Sequence, residues 1–271
     1  MSRRAALAGL ALLAAASASA PPRDGGLPLA HDGLRDLWSD GARTVRGARS
    51  LVVGHRADVR LLRDLARRSD AAGERVSAVL GGQVRPLVLV PDSIADGARL
   101  AGLTGVAGLD GLAAVADDGR VIVMPTAFAR LTPIGRDVVL THELTHVAAG
   151  TDHLPIWLYE GFADYVGYRD AGLAVPVAAA ELAAEVRAGR LPRELPGPAA
   201  FASREPGRLA RAYQEAWLAC RFLAGRFGER TLVRLYRDAQ SRGVDAALAA
   251  LGLSVETLTA RWRDYVRDEL A

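Results

Sequence analysis

The 271-residue chain contains no lysine and no asparagine, one cysteine, and only 6% aromatic residues. Each shortage excludes something. Without asparagine there is no N-glycosylation acceptor. A single cysteine forms no internal disulfide, and Cys220, set in the apolar stretch Trp217-Leu218-Ala219-Cys220-Arg221-Phe222-Leu223, reads as a small core residue rather than a nucleophile. All 34 basic residues are arginine, which reads as codon usage in a GC-rich genome. They are scattered and set against 31 acids, leaving a net charge of +3 and no basic stripe to argue for nucleic acid. What is present is ordinary globular material. Hydrophobic residues make up 50% and charged residues 24%, which excludes a wholly disordered or collagen-like chain. The length suits one large domain or two small ones with a real buried core.

Arg3 and Arg4 precede an apolar run from Ala5 to Ala16 and then the small residues Ser17-Ala18-Ser19-Ala20. This is the order of a secretory signal, with A-x-A cleavage after Ala18 or Ala20. The run is shorter than the roughly 20 residues that span a bilayer. No cysteine follows it, which argues against a lipoprotein. Ser2-Arg3-Arg4 also fits a relaxed twin-arginine signal, and an uncleaved anchor is the other reading. The expectation is a signal peptide over 1–20 and a protein exported to an extracytoplasmic or secreted location, with no stable membrane insertion after cleavage.

Residues 21–44, rich in Gly, Pro, Asp and Arg, read as a linker. Leu51-Val52-Val53 predicts a strand, and Val59, Leu62, Leu65 and Ala66 at three-to-four spacing predict a helix. Pro86–Pro91 reads as a strand bounded by prolines. Ala113–Ala116 and Val121–Met124, joined by Asp117-Asp118-Gly119, read as a hairpin. From Thr132 the chain turns helical. Thr132-Pro133 starts a helix that Gly150 stops, and Pro155 starts the next, fading at Ala171-Gly172. A short helix over Ala178–Arg187 and three more over about 207–226, 229–240 and 254–269 follow. Strands first and helices later predict an α+β fold: a sheet part over 45–130 and a helical part over 131–271 of one domain.

Inside the predicted helix 133–149 lies His142-Glu143-Leu144-Thr145-His146. Histidines four apart share a helical face, so both imidazoles can turn to one tetrahedral ion. Glu143 stands beside them, placed to take a proton from metal-bound water. The next helix supplies Glu160 as third ligand. His146 and His142 lie about 6 and 12 Å back from the end of the first helix, and Glu160 about 8 Å into the second. The short connection Thr151–Leu154 favours antiparallel neighbours, which would bring the three side chains to one depth and leave a fourth position for water. Asp164, one turn beyond Glu160, is placed to accept the second N–H of a ligand histidine.

His142-Glu143-Leu144-Thr145-His146 followed by Trp157-Leu158-Tyr159-Glu160-Gly161-Phe162-Ala163-Asp164-Tyr165 resembles the H-E-x-x-H and W-L-x-E-G-x-A-x-Y pair of the gluzincin zinc metallopeptidases, in particular the small MA-like peptidases of bacteria. The resemblance is strong over 138–168 and moderate over 205–268, where Ala212-Tyr213 and Leu223–Gly228 carry it; it is weak before 120. The gap from His146 to Glu160 is shorter than in the thermolysin and aminopeptidase branches, so their substrate preferences do not transfer. The resemblance implies a zincin-like fold, one zinc ion per chain, hydrolysis of a peptide or protein substrate, and a substrate strand along the sheet edge, for which Val121–Met124 is the candidate. It also places Tyr213 where such enzymes often carry an oxyanion donor; the other reading of Tyr213 is a core aromatic. Tyr165 and Tyr168 are weaker donors.

His153, in the inter-helix loop, reads either as a substrate contact or as loop chemistry. An arginine within 173–206 could hold a substrate carboxylate. His31 and His55 have no metal partner at suitable spacing and read as non-functional. The sequence thus points to an exported, monomeric zinc metallopeptidase that activates water through Glu143. The alternative is a catalytically inert, zinc-stabilised extracellular binding module, against which the intact Glu143 argues.

Overall fold

The computed structural model describes Trp38 and residues 40–102, 111–205 and 207–271. The signal-like residues 1–20, most of the linker stretch and His31 lie outside the described residues. What is described is a mixed α/β protein with a five-stranded mixed sheet and twelve helices. It divides into two compact units, one ending at Gly150 and the other beginning at Thr151.

The first unit holds the sheet, in the order β1-β2-β3-β5-β4. β1 (Ala42–Arg46) runs antiparallel to β2 (Leu51–His55), and β1 begins inside the stretch read as linker. β3 (Leu87–Val90) lies parallel to both β2 and β5 (Arg120–Val123), while β4 (Ala114–Asp117) closes the sheet antiparallel to β5. Inner parallel strands are covered on both faces, which is why β2, β3 and β5 read as continuous apolar runs. Side chains alternate across the sheet. Val53, Leu87, Leu89, Val115 and Ile122 face one way, into a cluster with Trp38, Leu112, Met124 and residues of α2 (Ile94–Leu100). On β4–β5, Asp118 (φ 38°) and Gly119 (φ 77°) make a two-residue turn with both central residues left-handed. That is the turn whose twist matches a hairpin, and Asp-Gly is suited to it.

α1 (Val59–Leu80) starts at the cap Asp58, which accepts the Arg60 N–H, and buries Leu62, Leu65, Ala66, Ser69, Ala72, Gly73, Val76 and Val79 at helical spacing. It packs on β1, β2 and α4 (Pro133–Ala149). Arg68 joins the two helices, donating to Asp64 at 2.8 Å and to Asp137 at 2.6 Å. Asp70, also on α1, accepts the backbone N–H groups of Ala48, Arg49 and Ser50 and so holds the β1–β2 turn. Short α3 (Pro125–Arg130) leads from β5 toward α4.

The second unit is helical. α5 (Ile156–Tyr168) is buried almost all round, as a central helix must be. Short α6 (Val175–Ala178), α7 (Ala180–Arg187) and α8 (Pro198–Phe201) lead to α9 (Arg208–Phe227). α9 packs along α5 so closely that a Cβ at Gly161 would sit 2.2 Å from the Ala216 carbonyl oxygen. Cys220 is buried in the same contact, its thiol 3.8 Å from the Leu158 carbonyl, as a core residue should be. α10 (Glu229–Arg242), α11 (Val244–Ala249) and α12 (Val255–Leu270) complete the unit, the last opened by a Ser254–Thr257 capping box.

Candidate metal centre

α4 begins and ends where its sequence says. Thr132 accepts the Gly135 N–H, Pro133 takes the first turn, and Gly150, at φ 70°, ends the helix. Within it, Thr141 and Thr145 turn their hydroxyls back to the carbonyls four residues earlier, each at 2.7 Å, which satisfies two buried polar groups. His142 is 1% exposed and His146 is half-buried. One helical turn apart, their Nε2 atoms converge to 2.9 Å.

Glu143 is buried on the same helix. Its Oε2 accepts the backbone N–H of Ala116 on β4 at 2.8 Å. The strand pairing explains why that N–H is on offer. Ala116 sits opposite Val121, while Ala113, three residues earlier and at a bonded position, accepts from Met124. In an antiparallel ladder alternate residues turn their backbone groups away from the partner, and Ala116 is one of these. Its donor points outward, toward α4.

Glu160, on α5, is fully buried. It is also the neighbour that, after burial itself, pushes the Tyr159 phenol up to about 12. His142, His146 and Glu160 each offer a ligand atom, all within 4.8 Å of one another, and the group could hold a metal ion. Two nitrogens and one carboxylate oxygen at that spacing are a donor set suited to zinc.

The other predicted residues fall as follows. Asp164 is buried on α5, one turn after Glu160, with Tyr168 and Cys220 in its electrostatic reach. Tyr213 is 4% exposed on α9 and meets Phe201 edge to face at 5.1 Å. The Tyr165 hydroxyl donates to Glu229 at 2.9 Å, and Tyr168 packs on Trp217, so both have structural employment. His153 is an exposed loop residue at φ 60°. Arg190, in the 173–206 stretch, is engaged by Glu185. The candidate substrate edge requires correction. β5, Val121 included, lies between β3 and β4, so β4 is the outer strand on that side.

A second group escaped the sequence reading. His55, Asp92 and Asp96 also bring ligand atoms within 4.8 Å of one another, so His55 does have partners. They come from the loop after β3 and the first turn of α2, and only the parallel β2–β3 pairing, which no local spacing encodes, brings them together.

Comparison with known proteins returned no matching family model and no significant match to a curated protein.

Proposed function

We propose that this chain is an exported zinc metallopeptidase of the gluzincin kind, with His142, His146 and Glu160 as the zinc ligands. The observation that carries the reading is the convergence of those three donors beside a buried Glu143 whose carboxylate is anchored by Ala116. Zinc held by these three residues would supply Lewis acidity, polarising the scissile carbonyl and lowering the pKa of a bound water.

Glu143 does the proton work. Its carboxylate takes a proton as water adds to the carbonyl carbon, and delivers it to the amide nitrogen as the C–N bond breaks. The Ala116 N–H fixes one carboxylate oxygen and so restricts the rotation of the base. Asp164 orients a ligand histidine by accepting its second N–H. Tyr213 is the candidate donor to the oxyanion. An extended peptide would lie along β4, the outer strand. Export rests on the signal-like residues 1–20, and a mature protein beginning near Ala18–Pro22 is its expected sign.

The deciding experiment compares wild type with Glu143→Gln on a diverse peptide library. The variant should fold and retain zinc yet lose at least about 10²-fold in hydrolysis, the lower end for a positioned general base. A Glu143→Gln protein that cleaves as fast as wild type would refute the mechanism. A wild type that holds zinc but cleaves nothing, with or without residues 21–44, would make the protein an inert zinc-stabilised module.

A further inference from the structure

In open α/β sheets the carboxyl ends of neighbouring parallel strands are where ligand-binding groups gather. β2 ends on His55, and β3 is followed directly by Pro91 and Asp92. Asp96 lies in the first turn of α2. His55 is only 9% exposed. Its ring stacks on the indole of Trp38, centroids 5.2 Å apart and planes within 11°.

The imidazole is held from behind. Nε2 lies 2.7 Å from Asp40 Oδ1, a carboxylate that can only accept, so the proton belongs on Nε2 and the lone pair on Nδ1. Nδ1 makes no hydrogen bond. It faces Asp92 Oδ2 at 3.4 Å and Asp96 Oδ2 at 3.7 Å. Three lone-pair donors converge, and something positive has to lie among them. A proton on Nδ1 would draw an oxygen to about 2.7–3.2 Å. A tetrahedral ion with bonds of about 2.0–2.2 Å instead spaces its ligands about 3.3–3.6 Å apart. The 3.4 Å separation falls in that range and the 3.7 Å one lies just beyond it, and both are longer than a hydrogen bond.

We propose that His55, Asp92 and Asp96 form a second metal site, for a divalent transition ion such as zinc, separate from the histidine pair of α4. The surroundings are those of a ligand set. A metal-bound histidine commonly donates its other N–H to a carboxylate, which is the place of Asp40. Asp96 Oδ2 is oriented by the Trp38 indole N–H at 2.6 Å and Asp96 Oδ1 by Arg99. Arg56 reaches both Asp40 and Asp92. Three carboxylates against two arginines leave the cluster one negative charge with a neutral imidazole, which a divalent ion reverses. Asp92, with its side chain 29% exposed, keeps one side open for a water ligand. One imidazole nitrogen among so few oxygens suits zinc better than calcium or magnesium, which take more oxygens. Bound there, the ion ties Trp38 to the ends of β2 and β3.

The test is Zn²⁺ titration of the metal-stripped full-length protein by calorimetry, with bound zinc counted by elemental analysis. His142→Ala/His146→Ala, which removes the α4 pair, should still bind one zinc per chain with Kd at or below about 1 μM. Asp92→Asn/Asp96→Asn should bind one zinc fewer than wild type. If the α4 variant does not fold, the wild type and the aspartate variant decide alone. Equal zinc content in those two proteins would overturn the proposal. Loss of zinc from the aspartate variant, with none lost from the α4 variant, would support this site and refute the other.

Discussion

Gly161 stands next to the proposed ligand Glu160, and its lack of a side chain sets how closely α5 and α9 approach. A Cβ there would lie 2.2 Å from the Ala216 carbonyl oxygen, 2.5 Å from its carbon and 3.1 Å from the Cys220 thiol. Side-chain carbons essentially never come within 3.0 Å of such atoms, so the first contact is about 0.8 Å too short. The obstacle is helical backbone, which has no rotamer to escape into. Gly161→Ala must therefore push the helices apart. Overpacking of this kind costs up to about 3 kcal/mol, and alanine's better helix propensity returns about 1 kcal/mol. The net loss is about 2 kcal/mol, or roughly 4–8 °C in Tm for a chain of this size. Gly225→Ala, on the same α9 with nothing within 4 Å of its added Cβ, is the control. It should gain about 0.4–1 kcal/mol. Thermal and urea unfolding followed by circular dichroism would measure both. Opposite signs support the close-approach argument; Gly161→Ala as stable as wild type would refute it.

Three further outcomes are expected. Glu160→Ala should sharply lower zinc affinity at the α4 site, since one of three protein ligands is gone; elemental analysis showing unchanged zinc would remove Glu160 from the ligand set. Tyr213→Phe should lower kcat by about 10²–10³ with little change in KM, whereas wild-type turnover would return Tyr213 to the core beside Phe201. Burial raises the Asp70 pKa, but the N–H donors of Arg49, Ala48 and Ser50 outweigh it and hold it below the usual 3.8. The stabilisation is therefore present above pH 3.8 and lost as pH falls through the lower folded-state value. Asp70→Ala should cost about 1–2 kcal/mol near neutrality, a figure discounted for exposure, and the gap to wild type should close in acid; a pH-independent gap would count against it.

The parts legible in the sequence are those with local causes. Thr132-Pro133 and Gly150 bound α4 to the residue because caps act within one turn. The histidine pair was legible for the same reason. β1 was missed because Arg43 and Thr44 are exposed and its pattern carries no apolar alternation. α2 is seven residues long with Gly97 at its centre, too short for helical periodicity to mark it. Which strand lies outermost is not legible locally, because strand order belongs to long-range pairing: β5 joins β3, and β4 is left outside. The partners of His55 arrive through the β2–β3 pairing, which no local spacing encodes.

The hydrogen bond from Ala116 to Glu143 gives the β4–β5 turn a reach beyond its own corner. Whether that N–H faces α4 depends on strand register, and a slip of one residue would turn it away. Register in so short a hairpin is set by Asp118 and Gly119, both at positive φ. A change at this surface turn can therefore free the Glu143 carboxylate, the proposed base, without touching it. The amide proton of Ala116 becomes a gauge of readiness. Its exchange with solvent measures how often the hairpin lets go of Glu143, and residues that never approach a substrate would set that frequency.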